Sequence, residues 1–334
     1  MPAARLLVNE DAPPSGGGRA SSGRTRHTGP TRCLALATVA ALSLLTARAD
    51  AFVRTRSLTT DAVFFRSSPH AVLEVSTPPD SLSVAPADLH AAAQAAVDGW
   101  SYPAVSCTSL ALTLAPGFGA SQAVANDGHN RIIMRSGVWA RDPQDPATAH
   151  DSTQVAVTTV FSRNHPGALD DGMILEADIE VNDVDYQWAI IPDGPITVHD
   201  YGNSYDLASA LTHEMGHFIG LAHTCESPGD PVRYDNHGQV VPDCTMLSGD
   251  DADQIIAATM YPTMNPVDVS LRSLTDDDTS GACALYPVLP TVIGACDVAS
   301  SPAGRSSTLA TGLMSAATAG LALALAYRRR RARR

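Results

Sequence analysis

Apolar and polar positions change period several times along this chain, and each change predicts an element. In ADLHAAAQAAVDGW (87–100), Ala, Leu and Val recur at helical spacing behind Pro86, a residue suited to a first helical turn. NRIIMRSGVWA (130–140) and STQVAVTTVFS (152–162) read as strands. DGMILEADIEVND (171–183) alternates, with Met173, Leu175, Ala177, Ile179 and Val181 on one face, and predicts a half-buried strand. Helical spacing returns in DLASALTHEMGHFIGLAH (206–223), with Asp206 at the N-cap. LTDDDTSGACALYP (274–287) predicts a short helix behind Thr275, stopped by Pro287. No internal repeat interrupts this order. Helix, strands, helix, loop and helix together predict an α+β domain with a mixed, twisted sheet, two long helices and a short C-terminal one.

The two ends of the chain follow other rules. Residues 1–32 are rich in Gly, Ser, Pro and Arg, lack apolar periodicity, and predict disorder or sequence upstream of the true start. CLALATVAALSLL then follows a positive flank and runs into TARADAF, the pattern of a signal peptide cleaved after Ala49 or Ala51. Residues 1–51 are thus a lead and signal, and the mature body, 52–288, begins near Phe52. A Ser/Pro/Gly-rich spacer lies within 289–308. LATGLMSAATAGLALALAY (309–327) is uncharged and of membrane-spanning length, and RRRRARR completes the anchor segment 309–334. Positive residues stay on the cytoplasmic side, so the body is expected outside the cell, exported and surface-anchored.

Composition narrows the partners. The formal net charge is −13, with arginines gathered at the ends, which argues against a nucleic-acid partner. Cys33 leaves with the signal, and Cys296 stands beside the spacer as a candidate anchor. Four cysteines remain, and an even number in an exported protein favours disulfides over free thiols. Cys225 and Cys244 bracket one loop and are paired; Cys107 is then left for Cys283.

The chemistry lies in HEMGHFIGLAH (213–223). On a helix His213 and His217 face the same side and can share one zinc ion, with Glu214 beside the first ligand. His223 is too far round an unbroken helix to reach that ion. Gly220 lets the chain turn in a conformation other residues avoid, so the helix can end and His223 can return. Three protein ligands and an open position are the arrangement of catalytic zinc. Glu214 is then a general base for a water made acidic by the metal, and the reaction is hydrolysis of an amide bond.

HExxHxxGxxH resembles the signature of metzincin zinc peptidases. AATMYP, with Met260 ahead of Tyr261 and Pro262, resembles the methionine turn of their matrixin branch, the family of matrix metalloproteinases. Met246 is a rival without the following proline. Thr224 stands near the matrixin serine, and the 206–223 and 274–287 segments resemble two matrixin helices. The resemblance covers roughly 95–288. It implies a metzincin-like fold, one catalytic Zn2+, an apolar floor at Met260 and a protein or peptide substrate. It also implies that ILEADIEVN is the edge strand along which an extended substrate pairs. Calcium and a second zinc accompany many matrixins, but Asp243, Asp250, Asp251 and Asp253 match no calcium-loop spacing. Nor do His150, His165 or His199 map onto a second zinc site. SGDDADQ (248–254) reads as a solvated loop. No cysteine lies between Phe52 and Ser106, so latency through a cysteine–zinc contact is not available there. The C-terminal tail resembles bacterial sorting signals, most closely the Cys–spacer–helix–Arg tail of myxobacterial proteins. Two other classes stay open: a non-catalytic surface protein that keeps fold and zinc, and a zinc hydrolase of non-peptide amides. Retention of the base Glu214 counts against the first.

Overall fold

The computed structural model describes residues 3–10, 52–77, 82–194 and 197–288. The signal run, Cys296, the spacer, the apolar tail and its arginines lie outside the described residues. Among the described residues no helix is long and apolar enough to cross a membrane.

In chain order the strands β1 (Ala3–Glu10), β2 (Val53–Arg54), β3 (Phe65–Arg66) and β4 (His70–Ser76) precede helix α1 (Pro86–Trp100). Then come β5 (Ala111–Gly119), β6 (Asn130–Arg135), β7 (Gln154–Ser162), β8 (Met173–Asn182) and β9 (Trp188–Ala189). The remainder is α2 (Val198–Tyr201), β10 (Tyr205–Asp206), α3 (Leu207–Ile219), β11 (Leu221–Ala222), α4 (Asp250–Ala257) and α5 (Asp276–Leu285). The central sheet runs β1-β7-β8-β6-β4-β5, with β3 also pairing β8. Only β7 and β8 pair antiparallel; the other ladders of this sheet are parallel. The described residues form a mixed α/β architecture with a mostly parallel sheet, which fits the expected α+β class in general terms.

The periodicity of α1 has a clear physical outcome. Leu89, Ala92, Ala93, Ala96, Val97 and Trp100 are buried, and small alanines let the helix lie close to its neighbours. Trp100 donates its indole N–H to the Thr212 carbonyl at 2.8 Å, joining α1 to α3. Cys107 and Cys283 stand at disulfide distance, Cα–Cα 5.4 Å, tying the turn before β5 to α5. Cys225 and Cys244 do the same across the loop after His223, at 5.1 Å. Both pairings match the sequence reading. Closing a loop spanning 176 residues removes entropy from the unfolded chain.

Four expectations need correction. First, β8 is not the edge: it lies between β7 and β6, and β7 lies on its outer side. Its acidic residues are not on a solvated face either. Glu176, Asp178 and Glu180 are buried. Asp178 accepts from the Arg131 and Ala125 amides, Glu176 from Gly128, and Glu180 from Arg135 and His150. A period of two signals two faces, but cannot tell water from a buried polar layer supplied by distant residues. Second, residues 3–10 form a strand despite the disorder expected of the lead. β7 offers a row of backbone donors and acceptors, and β1 pairs with it in parallel, Leu6 opposite Thr158. Third, the acidic 248–254 stretch opens helix α4. Its apolar Ala252 is buried, which gives the short helix one core-facing position. Fourth, β4 and β5 arise where no element was expected; Pro116 and Gly117 within β5 suit a strand at the sheet edge.

Candidate metal centre

α3 carries the first half of the site. Asp206 caps it, accepting from the Ser209 amide at 2.8 Å, and Arg272 in turn pairs with the buried Asp206 carboxylate. Behind this cap every residue of the helix except Ala208 is buried. At Gly220 the chain enters the left-handed region, φ 105°. A side chain there would also press on the Phe64 carbonyl, 2.8 Å from the position of a Cβ. The helix therefore stops, and β11 pairs antiparallel with β2 and carries the chain on to His223.

His213, His217 and His223 converge, each offering a ligand atom within 4.8 Å of the others. Among the described residues this is the only such cluster of metal-binding side chains. The His213 Nδ1 lies 2.7 Å from the Thr259 carbonyl, and the His217 Nδ1 lies 2.9 Å from that of Leu221. Carbonyls only accept, so both Nδ1 atoms carry hydrogen and both Nε2 atoms present lone pairs. His213 Nε2 is buried with no protein partner. His217 Nε2 and His223 Nε2 lie 3.1 Å apart. Tetrahedral ligands on zinc stand about 3.3 Å apart. Burial pushes the His213 imidazole down to about 4. Burial, then neighbouring positive charge, holds His217 and His223 well below the usual histidine range. Neutral imidazoles with inward lone pairs are the donor set of a transition-metal ion. The residues thus fit zinc on their own chemistry.

Glu214 is wholly buried beside this triad. The Thr158 hydroxyl of β7 donates to its Oε2 at 2.5 Å, and Oε1 has no protein partner. Burial raises the Glu214 carboxyl to about 8, and the Thr158 bond opposes that rise.

Met260 is 2% exposed and Met246 76%, so only Met260 can be a floor. Its amide and that of Thr259 donate to Asp278 at 3.2 and 2.9 Å, and its carbonyl accepts from Thr224. Asp278 also closes the capping box of α5 with Thr275. At the acidic start of α5, Asp278 ties the helix to the Thr259–Met260 backbone. Gly216, within the motif but without a role assigned from sequence, also shapes the site. A Cβ on Gly216 would lie 2.1 Å from the Met260 sulfur and 3.1 Å from Trp100. Glycine inside a helix costs about 1 kcal/mol against alanine, which was the available signal. Gly216→Ala is expected to lose about 1–2 kcal/mol despite the better helix former, because overpacking outweighs propensity. Displaced Met260 also weakens metal retention; thermal melts and chelator competition would read both, and a stabilised variant would refute the packing argument.

The remaining residues stay apart from the triad's donor set. His150 pairs with Glu180 at 3.1 Å and His165 with Asp170 at 3.2 Å. His199 lies on α2, and Asp243 accepts from Thr245. The Cys225–Cys244 loop starts two residues after His223, and Val241 within it packs on Val53 and Ala222. Compared with models of known protein families and with curated proteins, the chain matches none.

Proposed function

We propose that this chain is an exported zinc-dependent endopeptidase of the metzincin type, matrixin branch. The observation that carries the reading is the convergence of three neutral histidines beside a buried carboxylate with one free oxygen. Zinc, when bound by His213, His217 and His223, supplies Lewis acidity, making water acidic near neutrality and polarising an amide carbonyl. Glu214 accepts the proton of that water at Oε1 and passes it to the leaving amine nitrogen, so no covalent enzyme intermediate is needed. Thr259 and Leu221 keep the first two imidazoles in the ligating tautomer. Met260 excludes water beneath them.

β7 supports a peptide rather than a small amide as substrate. It crosses the α3 carboxylate at Thr158, and its outer edge takes an extended chain, here residues 3–10. Two cysteine pairs at disulfide distance fit an oxidising compartment, in keeping with export. The test is cleavage of a peptide library by the full chain. Internal cleavage should vanish with a zinc chelator and return with added zinc. One zinc per chain without chelator-sensitive cleavage would overturn the reading in favour of a binding protein.

A further inference from the structure

We propose that Thr158 is a positioning residue for the base: its hydroxyl pins one oxygen of Glu214 so that the other is presented to the reacting water. The inference rests on the peptidase reading above and adds to it a residue that no part of the zinc motif contains. Thr158 lies 56 positions from Glu214 in sequence and on another element.

The first support is the position itself. Ala156 and Val160, two residues to either side of Thr158 on the same strand, belong to the hydrophobic core. Thr158 is wholly buried. Valine has the same shape and would fill such a position without a polar atom. A buried hydroxyl is costly unless hydrogen-bonded. Here the partner is Glu214, through Oε2 at 2.5 Å and the main-chain carbonyl at 3.3 Å.

The second support is the division of the carboxylate. Oε2 is bonded, and Oε1 is buried without a protein partner. A carboxylate on a flexible stem can present either oxygen. One bond to a β-branched residue, stiff at χ1 and held in a sheet, removes that freedom. The same bond works in both proton states. A hydroxyl donates to the ionised Oε2. When the proton sits on Oε1, Oε2 is the carbonyl oxygen of the acid and still accepts from the Thr158 hydroxyl. The strand whose outer edge holds an extended segment, residues 3–10, therefore also sets the base. Substrate and carboxylate are registered by one element, as preorganisation requires.

The test compares the full zinc-loaded chain with Thr158→Val and Thr158→Ser on a peptide cleaved by the unaltered protein. Thr158→Val should lower kcat about tenfold to a hundredfold, with KM within about twofold and zinc content unchanged. Thr158→Ser, which keeps the hydroxyl, should restore most of kcat. A Val variant with unaltered kcat, or a Ser variant as impaired as Val, would overturn the proposal. If Val fails to fold, Thr158→Cys replaces it: the thiol is a weak donor, so kcat should still fall while Ser keeps it. Equal rates for Cys and Ser would then count against the hydroxyl. Absence of any chelator-sensitive cleavage by the unaltered chain overturns the peptidase reading instead, so the two failures are separable.

Discussion

Glu214→Gln should abolish peptide hydrolysis and leave the metal bound. Glutamine has the shape of glutamate, and its amide can still bond the Thr158 hydroxyl, so the packing of α3 against β7 persists. What it lacks is a basic oxygen. The three imidazoles are untouched, because their Nδ1 partners are main-chain carbonyls of Thr259 and Leu221 for two of them. General-base catalysis contributes about 10²–10⁴-fold, and kcat should fall by at least that range. Zinc measured on the purified variant should stay at one per chain. Loss of the metal together with activity would mean that Glu214 is a ligand or a structural support, and the base assignment would fall. A Gln variant with normal kcat would place the chemistry elsewhere.

How far the sequence reaches depends on how local the cause is. α3, its Asp206 cap and the turn at Gly220 are legible because the residues responsible are within a few positions of each other. The three convergent histidines follow from the same stretch. The start of α5 behind Thr275 is legible for the same reason. The identity of the edge strand is not. β7 and β8 both read as strands, but their order in the sheet is set by pairings over long separations, and the acidic face of β8 is buried by the 125–131 loop, Arg135 and His150. Thr158 is invisible for a related reason: a threonine within a β-branched run is an ordinary strand residue until a carboxylate is seen 2.5 Å away. α4 is eight residues long, too short for periodicity to separate it from a polar loop.

Asp278→Ala should unfold the site from beneath. Asp278 is buried and accepts four hydrogen bonds. Oδ2 takes the Thr259 amide at 2.9 Å, the Thr275 amide at 2.8 Å and the Thr275 hydroxyl at 2.7 Å. Oδ1 takes the Met260 amide at 3.2 Å. Truncation leaves three main-chain donors without their acceptor, and buried unpaired groups cost about 1–3 kcal/mol each before relaxation. A loss of about 3–5 kcal/mol is expected in urea unfolding. The effect does not stop at stability. Thr259 passes the constraint on, since its carbonyl fixes the His213 ring, and losing such an outer partner lowers metal affinity about 10–100-fold. Asp278→Asn separates the two consequences. Its oxygen can keep the three bonds at the Oδ2 position, but its amide then faces the Met260 N–H, donor against donor. Asn should therefore lie between the unaltered chain and Ala in both measurements. Zinc affinity by chelator competition should fall in the same order as stability. If stability falls and affinity does not, then the methionine turn braces the fold without orienting His213, and the link from α5 to the metal is broken at Thr259.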